Sequence, residues 1–232
     1  AGIKTTPSEW LYSSQLPRAN ILKTVENLKY PLFVKPAHLG SSIGITKVEH
    51  AKELANAVEV AAHYDDKVII EQGVKNLIEL TLPIMGNDEP IPALLERPLT
   101  KPEDFFDFDA KYMHGGKKSK GGQQAGSQGY SEVPAKIFKD LYEKAEKTAL
   151  DVYLALGCRG IARVDLLVDS KTQDVFFNEV NPLPGGLYSH NWNKAGVSNV
   201  ELVSKLIEYA EQDWHAKLKL TTSFSTNYLK QF

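Results

Sequence analysis

Two apolar runs in the second half of the chain constrain the fold most. They are GIARVDLLV at 160–168 and DVFFNEV at 174–180, joined by the polar stretch DSKTQ. Their β-branched and aromatic content, with a short polar connection, predicts an antiparallel hairpin. Successive side chains of a strand point to opposite faces, so Arg163 and Asp165 share one face of the first strand. By the same rule, Glu179 and Asn181 share one face of the second strand.

If the two polar faces coincide, three oxygen donors and one guanidinium converge at one place. Oxygen ligands without His or Cys favour Mg²⁺, which usually keeps several waters and shares its site with phosphates. The alternative is structural: a salt bridge from Arg163 to Asp165 or to Glu179 at the end of a sheet. Unpaired charges in an apolar hairpin cost on the order of several kcal/mol per ion, so a functional reason is worth considering beside the structural one.

The rest of the chain alternates between strand and helix patterns, which predicts an α+β fold. Further strands are expected at 32–35, 43–48, 67–71 and 79–85, and helices at 17–28, 49–64 and 134–156. Ser198 and Glu201 have the spacing of a capping box that opens a last helix. The residues expected to face inward on this helix are Val200, Val203, Ile207 and Ala210. After Asp213 we expect an irregular tail.

Composition excludes several classes of protein. A chain of 232 residues with 42% hydrophobic and 24% charged residues can bury a core as one domain or as two small lobes. A net charge of -2 gives no sign of a strongly basic nucleic-acid-binding face. The single cysteine, Cys158, leaves no internal disulfide framework and fits a reducing, cytoplasmic compartment. We expect no membrane span, and because the chain begins at Ala1 we expect a piece of a longer protein.

A glycine- and serine-rich loop after a lysine supports two different predictions. The stretch FVKPAHLGSSIGIT at 33–46 contains GSSIG, which fits the G-x-S-x-G pattern of serine hydrolases with Ser42 as the nucleophile. That pattern requires a helix directly after the serine turn, whereas a β-branched run follows here. Alternatively, Gly40 and Gly44 free the loop backbone to offer N–H groups to phosphate oxygens, with Lys35 supplying charge. Walker A and G-x-G-x-x-G motifs are both absent, so this would be neither a P-loop nor a Rossmann site.

Six stretches, taken together, resemble the ATP-grasp region of D-alanine–D-alanine ligases. They are, in order, FVKPAHLGSSIGITKV, VIIEQGV, IELTLPIMGND, FFDFDAKY, GCRGIARVDLLV and FFNEVNPLPGG. The resemblance runs from Ala1 to about Ala210 and implies a nucleotide held between two α+β lobes. It implies a central lobe at 1–78, a C-terminal lobe with the Mg²⁺ site at 79–213, and a tail at 214–232.

The resemblance implies roles around the phosphates of ATP. Lys35 would hold the α- and β-phosphates, and the loop with Ser41 and Ser42 would close over the phosphate tail. Lys111 would be a second phosphate lysine, and Tyr112 would belong to the loop that packs over the site. The glycine- and lysine-rich stretch that follows has too few apolar residues to order by itself, so it is either a lid over the nucleotide (113–129) or a flexible surface insertion.

The resemblance also implies roles around the adenosine. Glu71 would accept a hydrogen bond from the adenine amino group, and the backbone from Gln72 to Val74 would meet the purine edge. Glu79 would bind the ribose hydroxyls. One extra residue separates Glu79 from Glu71, so this register stays open. Each of these two acids, taken alone, would be a solvated carboxylate at a strand end.

The implied reaction joins a carboxylate to an amine through an acyl phosphate made with ATP, in peptidoglycan precursor synthesis. Asp165, Glu179 and Asn181 would ligate Mg²⁺ (or Mn²⁺), with Glu179 bridging two ions. Arg163 would stabilise the transferring phosphoryl group and the later tetrahedral intermediate. The backbone at Gly185 would help to form an oxyanion site.

Two departures from the family pattern limit what the resemblance implies. A preceding α/β domain that supplies substrate contacts is not matched, so we expect this chain alone to bind nucleotide weakly and to ligate poorly. The family usually places a serine and an apolar residue after the Pro-Gly element, where this chain has His190 or, shifted by one, Asn191. With Tyr188 and Ser189, these are the expected specificity residues. The acceptor is then D-alanine or a similar amino or hydroxy acid, and a homodimer is possible.

Three classes of function remain from the sequence. The first is an ATP-dependent ligase, with no nucleic-acid or membrane partner. The second is a non-catalytic nucleotide-binding module, against which the intact set of Arg163, Asp165, Glu179 and Asn181 argues. The third is a serine hydrolase, which predicts that a fluorophosphonate labels Ser42.

Overall fold

Two antiparallel sheets form the framework of the chain. The computed structural model describes residues 1–16, 20–99 and 131–221. The strands are β1 (Ser8–Tyr12), β2 (Leu32–Pro36), β3 (Thr46–Val48), β4 (Lys67–Gln72), β5 (Leu77–Gly86), β6 (Ile91–Pro92), β7 (Arg97–Pro98), β8 (Ser131–Glu132), β9 (Gly160–Asp169) and β10 (Asp174–Asn181). The helices are α1 (Ile21–Thr24), α2 (Ala51–Tyr64), α3 (Lys139–Ala155), α4 (Ser189–Lys194) and α5 (Asn199–Leu218). Short 3₁₀ segments lie at Ser13–Gln15 and Gly185–Tyr188.

The first sheet has the strand order β1-β4-β2-β3, and α2 covers one of its faces. Alternate residues of β2 and β4 are fully buried beneath the helix: Leu32, Val34, Val68 and Ile70. Burying such side chains stabilises a fold by roughly 1.5–3 kcal/mol each. The period of two leaves Lys35 and Glu71 on the opposite face of this sheet.

The second sheet has the strand order β10-β9-β5-β6, and α3 packs on one of its faces. The strand residues in this core are Ile78, Leu80, Leu82, Ile84, Ala162, Val164, Leu166, Val168, Val175, Phe177 and Val180. The hairpin predicted from the sequence is confirmed, since β9 and β10 pair antiparallel from Asp169 opposite Asp174. Its other face is polar where Arg163 and Asp165 lie.

Other segments of the chain cover the second sheet and join the two sheets. The turn at 185–188 and the helices α4 and α5 cover one end of the second sheet, where Met85, Ile161, Trp192 and Leu202 form a separate buried cluster. The segment before β1 runs along both sheets: the Lys4 carbonyl accepts from Phe177 N at 2.8 Å, and the Pro7 carbonyl accepts from Gln72 N at 2.9 Å. The two sheets are therefore linked by more than the single connection between β4 and β5.

Several predicted boundaries were wrong for local reasons. Of the helix expected at 17–28, the described residues from Asn20 onward form one short turn, α1, which Asn20 caps by accepting from Lys23 N at 3.3 Å. The strand expected at 43–48 begins only at Thr46, since Gly44 has a φ of 73° in the preceding turn. The helix expected from Pro134 begins at Lys139, because the residues before it are not helical: Ile137 N donates to the Ala135 carbonyl at 3.1 Å, and Phe138 is extended with a ψ of 143°.

The inward face predicted for the last helix was also wrong. Ser198 does cap α5, accepting from Glu201 N at 3.2 Å, but Val200 is 78% exposed and Val203 and Ile207 are exposed as well. The side that packs is the stripe of Leu202, Leu206 and Tyr209. Both stripes have helical spacing, so periodicity alone cannot choose between them. The helix also continues to Leu218, where we expected an irregular tail.

Some predictions lie outside the described residues: Pro17 as a helix start, the loop at 113–129, and the tail from residue 222 onward. Within the three described ranges, no helix combines the length and apolar character needed to cross a membrane.

Candidate functional site

The polar face of the first sheet carries one close ion pair. Lys35 Nζ lies 2.8 Å from Glu71 Oε2, and the two side chains are 19% and 20% exposed. Phe33 lies directly opposite Glu71 on β2 and β4, so Lys35 reaches Glu71 diagonally. The two residues predicted for the phosphates and the adenine therefore share one corner of this face.

The polar face of the second sheet carries a denser group. Arg163 donates to both oxygens of Asp165, from Nε at 2.9 and 3.1 Å and from Nη2 at 2.6 Å. Glu179 Oε1 lies 3.6 Å from the same Nη2. Burial opposes the charge of Arg163, but the hydrogen bonds and charge of Asp165 outweigh it and raise the pKa of the guanidinium. The structural salt bridge considered from the sequence is therefore present, together with the acids predicted for a metal.

A β-bulge decides that Glu179 joins this group. From the turn, unbroken pairing would place Asn178 opposite Asp165 and turn Glu179 toward the other face. The register shifts between Phe177 and Glu179, so that Glu179 lies opposite Asp165 and Asn181 lies opposite Arg163. The bulge thus brings the four predicted residues onto one face.

Lys35 on the first sheet and Glu179 on the second lie close enough for their charges to interact. More than half of the Glu179 side chain, 57%, is open to solvent. Even so, the surrounding protein atoms, and then the charge of Asp165, raise its pKa. Among the opposing effects is the charge of Lys35, which belongs to the first sheet. Such an effect requires the two groups to be near each other. Lys35 is therefore near the acids of the hairpin, and we call the region between them the cleft.

The donor set in this cleft fits Mg²⁺. Two carboxylates and an amide oxygen are hard ligands, and a cation would relieve the like charges of Asp165 and Glu179. Asp165 already accepts from Arg163 and, at 2.8 Å, from the Thr81 hydroxyl. Asn181 Oδ1 accepts from Leu183 N at 3.0 Å. A carboxylate has about four lone-pair sites, so Asp165 can take a metal once Arg163 releases one bond.

The glycine-serine loop is a turn between two strands. Ser41 and Ser42 have φ values of 57° and 60°, and a Cβ added at Gly44 would lie 2.8 Å from Pro36 and 2.9 Å from Tyr64. The loop backbone therefore approaches the end of β2 closely, which only glycine allows at position 44. The element that follows is β3, whereas the nucleophile elbow of a hydrolase requires a helix.

Part of the backbone at the end of β4, which was predicted to meet the purine edge, already forms hydrogen bonds within the protein. The N–H groups of Gln72 and Gly73 donate to Pro7 and Pro31 carbonyls at 2.9 and 2.8 Å. The carbonyl groups and Val74 remain as the candidates for the purine edge. Glu79 lies on β5 opposite Leu167 and, two residues before Thr81, faces the same side as Asp165.

The turn after β10 is open to a ligand. A Cβ added at Gly185 or Gly186 would meet no atom within 4 Å. Gly186, Leu187 and Tyr188 have consecutive positive φ values of 57°, 53° and 55°. Left-handed backbone in a non-glycine residue costs roughly 1–2 kcal/mol. This turn therefore depends on other contacts to hold its shape.

The predicted specificity residues lie in or beside α4 and differ in exposure. Asn191 is fully buried and donates to the Leu94 carbonyl at 2.9 Å. His190 has a side chain that is 24% exposed. Ser189 is the first residue of the helix, and the Tyr188 ring lies 4.7 Å from the His190 ring. Burial raises the pKa of Tyr188.

Sequence reasoning missed two residues of this region. Thr81 was detectable, because it lies two residues after Glu79 on a predicted strand. Glu96, a carboxylate buried among groups of the second sheet and α4, carries no signal in its local sequence. Lys111 and Tyr112, which the resemblance implies for the site, lie outside the described residues.

Comparison with known proteins identifies the family. The model of the D-ala D-ala ligase C-terminus matches residues 1–208. The D-alanine–D-alanine ligase of Thermoanaerobacter sp. (strain X514) is 36% identical over 224 residues, covering 94% of this chain and 59% of the relative. That of Chlorobium luteolum is 40% identical over 201 residues, covering 84% of this chain and 51% of the relative. The chain spans between about half and three fifths of the length of these curated relatives.

Solved structures agree in fold. The VanG D-Ala:D-Ser ligase from Enterococcus faecalis matches with a TM-score of 0.72 and 31% identity, over 90% of this chain and 57% of that chain. The D-alanine-D-alanine ligase from Coxiella burnetii matches with a TM-score of 0.73 at 22% identity, over 94% of this chain and 55% of that chain, which supports the fold alone. The expected ATP-grasp, α+β fold is confirmed. This chain belongs to the D-ala D-ala ligase C-terminus family.

Proposed function

We propose that this chain is the nucleotide-binding and phosphoryl-transfer part of an ATP-dependent carboxylate–amine ligase. The substrates are D-alanine and a second D-alanine or a similar amino or hydroxy acid, in peptidoglycan precursor synthesis. The observation that carries the proposal is the pairing of charges across the cleft: Lys35 of the first sheet lies near Glu179 of the second, beside Arg163. A triphosphate with its cation needs both signs of charge in one place.

In the first step, an oxygen of the substrate carboxylate attacks the γ-phosphorus of ATP, and the bond from that phosphorus to ADP breaks. Lys35 and Arg163 neutralise charge on the phosphoryl oxygens as they move. Mg²⁺, when bound by Asp165, Glu179 and Asn181, supplies further charge neutralisation for the phosphates. The product is an acyl phosphate and ADP.

In the second step, the amine of the acceptor attacks the acyl carbon. A C–N bond forms, the bond from carbon to the phosphate oxygen breaks, and the nitrogen loses a proton. The open backbone at Gly185 is available to donate to the oxyanion that forms on the carbonyl oxygen. Arg163, 5.6 Å from the Tyr188 ring centroid, lies between this turn and the phosphoryl-transfer acids. The acceptor therefore binds on the side of the turn at 185–188.

Further parts of the proposal concern the whole protein. The acyl phosphate reacts with water, so the stretch at 113–129 is proposed as a lid. A preceding domain is proposed to complete the substrate site, with a central lobe at 1–78 and a C-terminal lobe at 79–213 in this chain. The protein is proposed to act in the cytoplasm, where ATP is available, and as a homodimer.

The test is ADP and phosphate release by the full-length protein. It should be assayed with Mg·ATP against D-alanine, D-serine, D-lactate and the corresponding L-compounds. We expect release that requires D-alanine and a second D-configured substrate. Binding of Mg·ATP without ADP release under every condition would instead favour a non-catalytic nucleotide-binding module. Labelling of Ser42 by a fluorophosphonate would favour a hydrolase.

A further inference from the structure

A row of polar side chains crosses the open face of the second sheet. Glu179 on β10 lies opposite Asp165 on β9, and Asp165 lies opposite Thr81 on β5. Thr81 in turn forms an antiparallel bridge with Glu96, with both backbone hydrogen bonds at 2.8 Å. Opposing residues of antiparallel strands point to the same face. Glu96 therefore ends the row that contains the acids proposed for Mg²⁺.

Glu96 is buried, and its partners come from one helix. Its side chain is only 5% exposed. Its Oε2 atom accepts hydrogen bonds from His190 Nε2 at 2.9 Å and from Asn191 Nδ2 at 3.1 Å. A buried carboxylate is strongly unfavourable unless it is paired and hydrogen-bonded. The two donors of α4 meet that requirement, and Glu96 in return holds α4 against the sheet.

The two donors have different freedom. Asn191 is completely buried. Its amide oxygen accepts from Leu94 N at 3.0 Å, and its amide nitrogen donates to the Leu94 carbonyl at 2.9 Å. The Asn191 amide therefore already forms hydrogen bonds with other groups of the protein. His190 is partly exposed and packs on Tyr188, which lies beside Thr81 and Arg163. Of the two, His190 is the side chain that can meet a ligand in the cleft.

The bond to Glu96 also fixes the chemistry of the imidazole. A carboxylate accepts, so His190 Nε2 must carry a hydrogen, and Nδ1 is the nitrogen left for a ligand. We propose that Glu96 is a positioning residue, which sets the orientation and tautomer of His190 and thereby the binding of the acceptor substrate. This inference rests on the proposed function, since an acceptor site presupposes a ligase.

The first measurement is the protonation pattern of His190 in the full-length protein labelled with ¹⁵N-histidine. His190→Gln identifies its resonances. We expect Nε2 to carry a hydrogen in the wild-type protein. Glu96→Gln should keep this pattern, because one carboxamide oxygen can occupy the Oε2 position and accept both bonds. Glu96→Leu, which is similar in size, should give a mixture of tautomers. A wild-type His190 with unprotonated Nε2 would overturn the proposal even if Glu96→Leu failed to fold.

The second measurement separates positioning from a general structural role. Glu96→Leu should raise the KM for the acceptor at least tenfold and leave the KM for ATP within twofold. Glu96→Gln should rescue the acceptor KM to within about threefold, because its carboxamide oxygen can still accept both hydrogen bonds. In the background of His190→Gln, Glu96→Leu should have no further effect on the acceptor KM. Glu146→Leu, a partly buried acid on α3, is the matched control and should change neither KM.

The outcomes distinguish the two proposals. ADP release with an unchanged acceptor KM in Glu96→Leu would reject the role of Glu96 alone, as would an equal rise in both KM values. The same rejection follows if the effect of Glu96→Leu persists without His190. No ADP release with any acceptor would reject the ligase function and, with it, the acceptor role of Glu96.

Discussion

The polar faces of the two sheets balance their charges differently. On the first, Lys35 and Glu71 form a one-to-one pair at 2.8 Å. On the second, one guanidinium serves two acids, Asp165 at 2.6 Å and Glu179 at 3.6 Å. The Lys35–Glu71 pair is neutral by itself, and the same face also carries Lys47 and Lys67. The second face has more negative charge than its own arginine can satisfy.

The difference indicates what each face is suited to bind. A balanced pair can exchange partners with a nucleotide at little electrostatic cost, because each member finds an equivalent contact. Burial, and then the charge of Asp165, raise the pKa of Glu179, and an excess of carboxylates of this kind favours a metal cation or a proton. With the proposed function, the first face would recognise the nucleotide and the second face would hold the cation.

The largest expected effect concerns the second face. Asp165→Asn in the full-length protein should lower kcat by about 10³-fold, because it loses a metal oxygen and the bonds that orient Arg163. Steady-state ADP release measures this. Asp151→Asn on the surface of α3, where the acid pairs with Lys147, is the control and should leave kcat unchanged. A loss of less than tenfold would show that the excess charge is not used in catalysis.

The first face should affect binding more than turnover. Lys35→Met should raise the KM for ATP roughly 10–100-fold, the range for losing one hydrogen bond to a charged group. The dissociation constant for a non-hydrolysable ATP analogue, measured by calorimetry, checks this. Lys52→Met on the exposed side of α2 is the matched lysine control. An unchanged affinity would place the nucleotide away from the first sheet.

Removing the acid from the balanced pair should destabilise the protein. In Glu71→Gln, the half-buried Lys35 loses its carboxylate, at a cost of about 1 kcal/mol in the free energy of unfolding. Urea unfolding at pH 8 without nucleotide measures it. An increase in stability would mean that the first face is also crowded by negative charge.

Replacing the acid by glutamine on the second face should increase the free energy of unfolding, opposite to Glu71→Gln, and should have the smallest effect of the four. Because the pKa of Glu179 is raised above 4.5, protonated Glu179 favours the folded state at low pH. This contribution to the free energy of unfolding is lost as the pH rises. Glu179→Gln does not titrate and should be a few tenths of a kcal/mol more stable than the wild type at pH 8 in EDTA, since solvent screens this exposed group. Near pH 4 the difference should vanish, and Mg²⁺ with an ATP analogue should reverse it at pH 8. A variant that is less stable at pH 8 in EDTA would contradict the charge imbalance.

Local pattern was sufficient for much of the framework. The buried stripes of β2 and β4, the helix α2 and the hairpin of β9 and β10 follow from periods of 2 and 3.6 in the sequence. Local pattern did not identify the buried face of a helix that has two apolar stripes. On α5, the stripe of Val200 and Ile207 and the stripe of Leu202 and Leu206 have similar spacing, and only packing against Met85 and Trp192 selects the second.

The sequence by itself determined which chemical groups this protein has available: a lysine at the end of β2, an arginine and an aspartate two residues apart on β9, and oxygen donors on β10. Tertiary structure decided that they meet. The bulge between Phe177 and Glu179 turns Glu179 toward Asp165, and the bridge to Thr81 brings the distant Glu96 into the same row. The physical reason is that strand register is set by hydrogen bonds between segments far apart in the chain, so a shift of one residue changes the face on which a side chain lies.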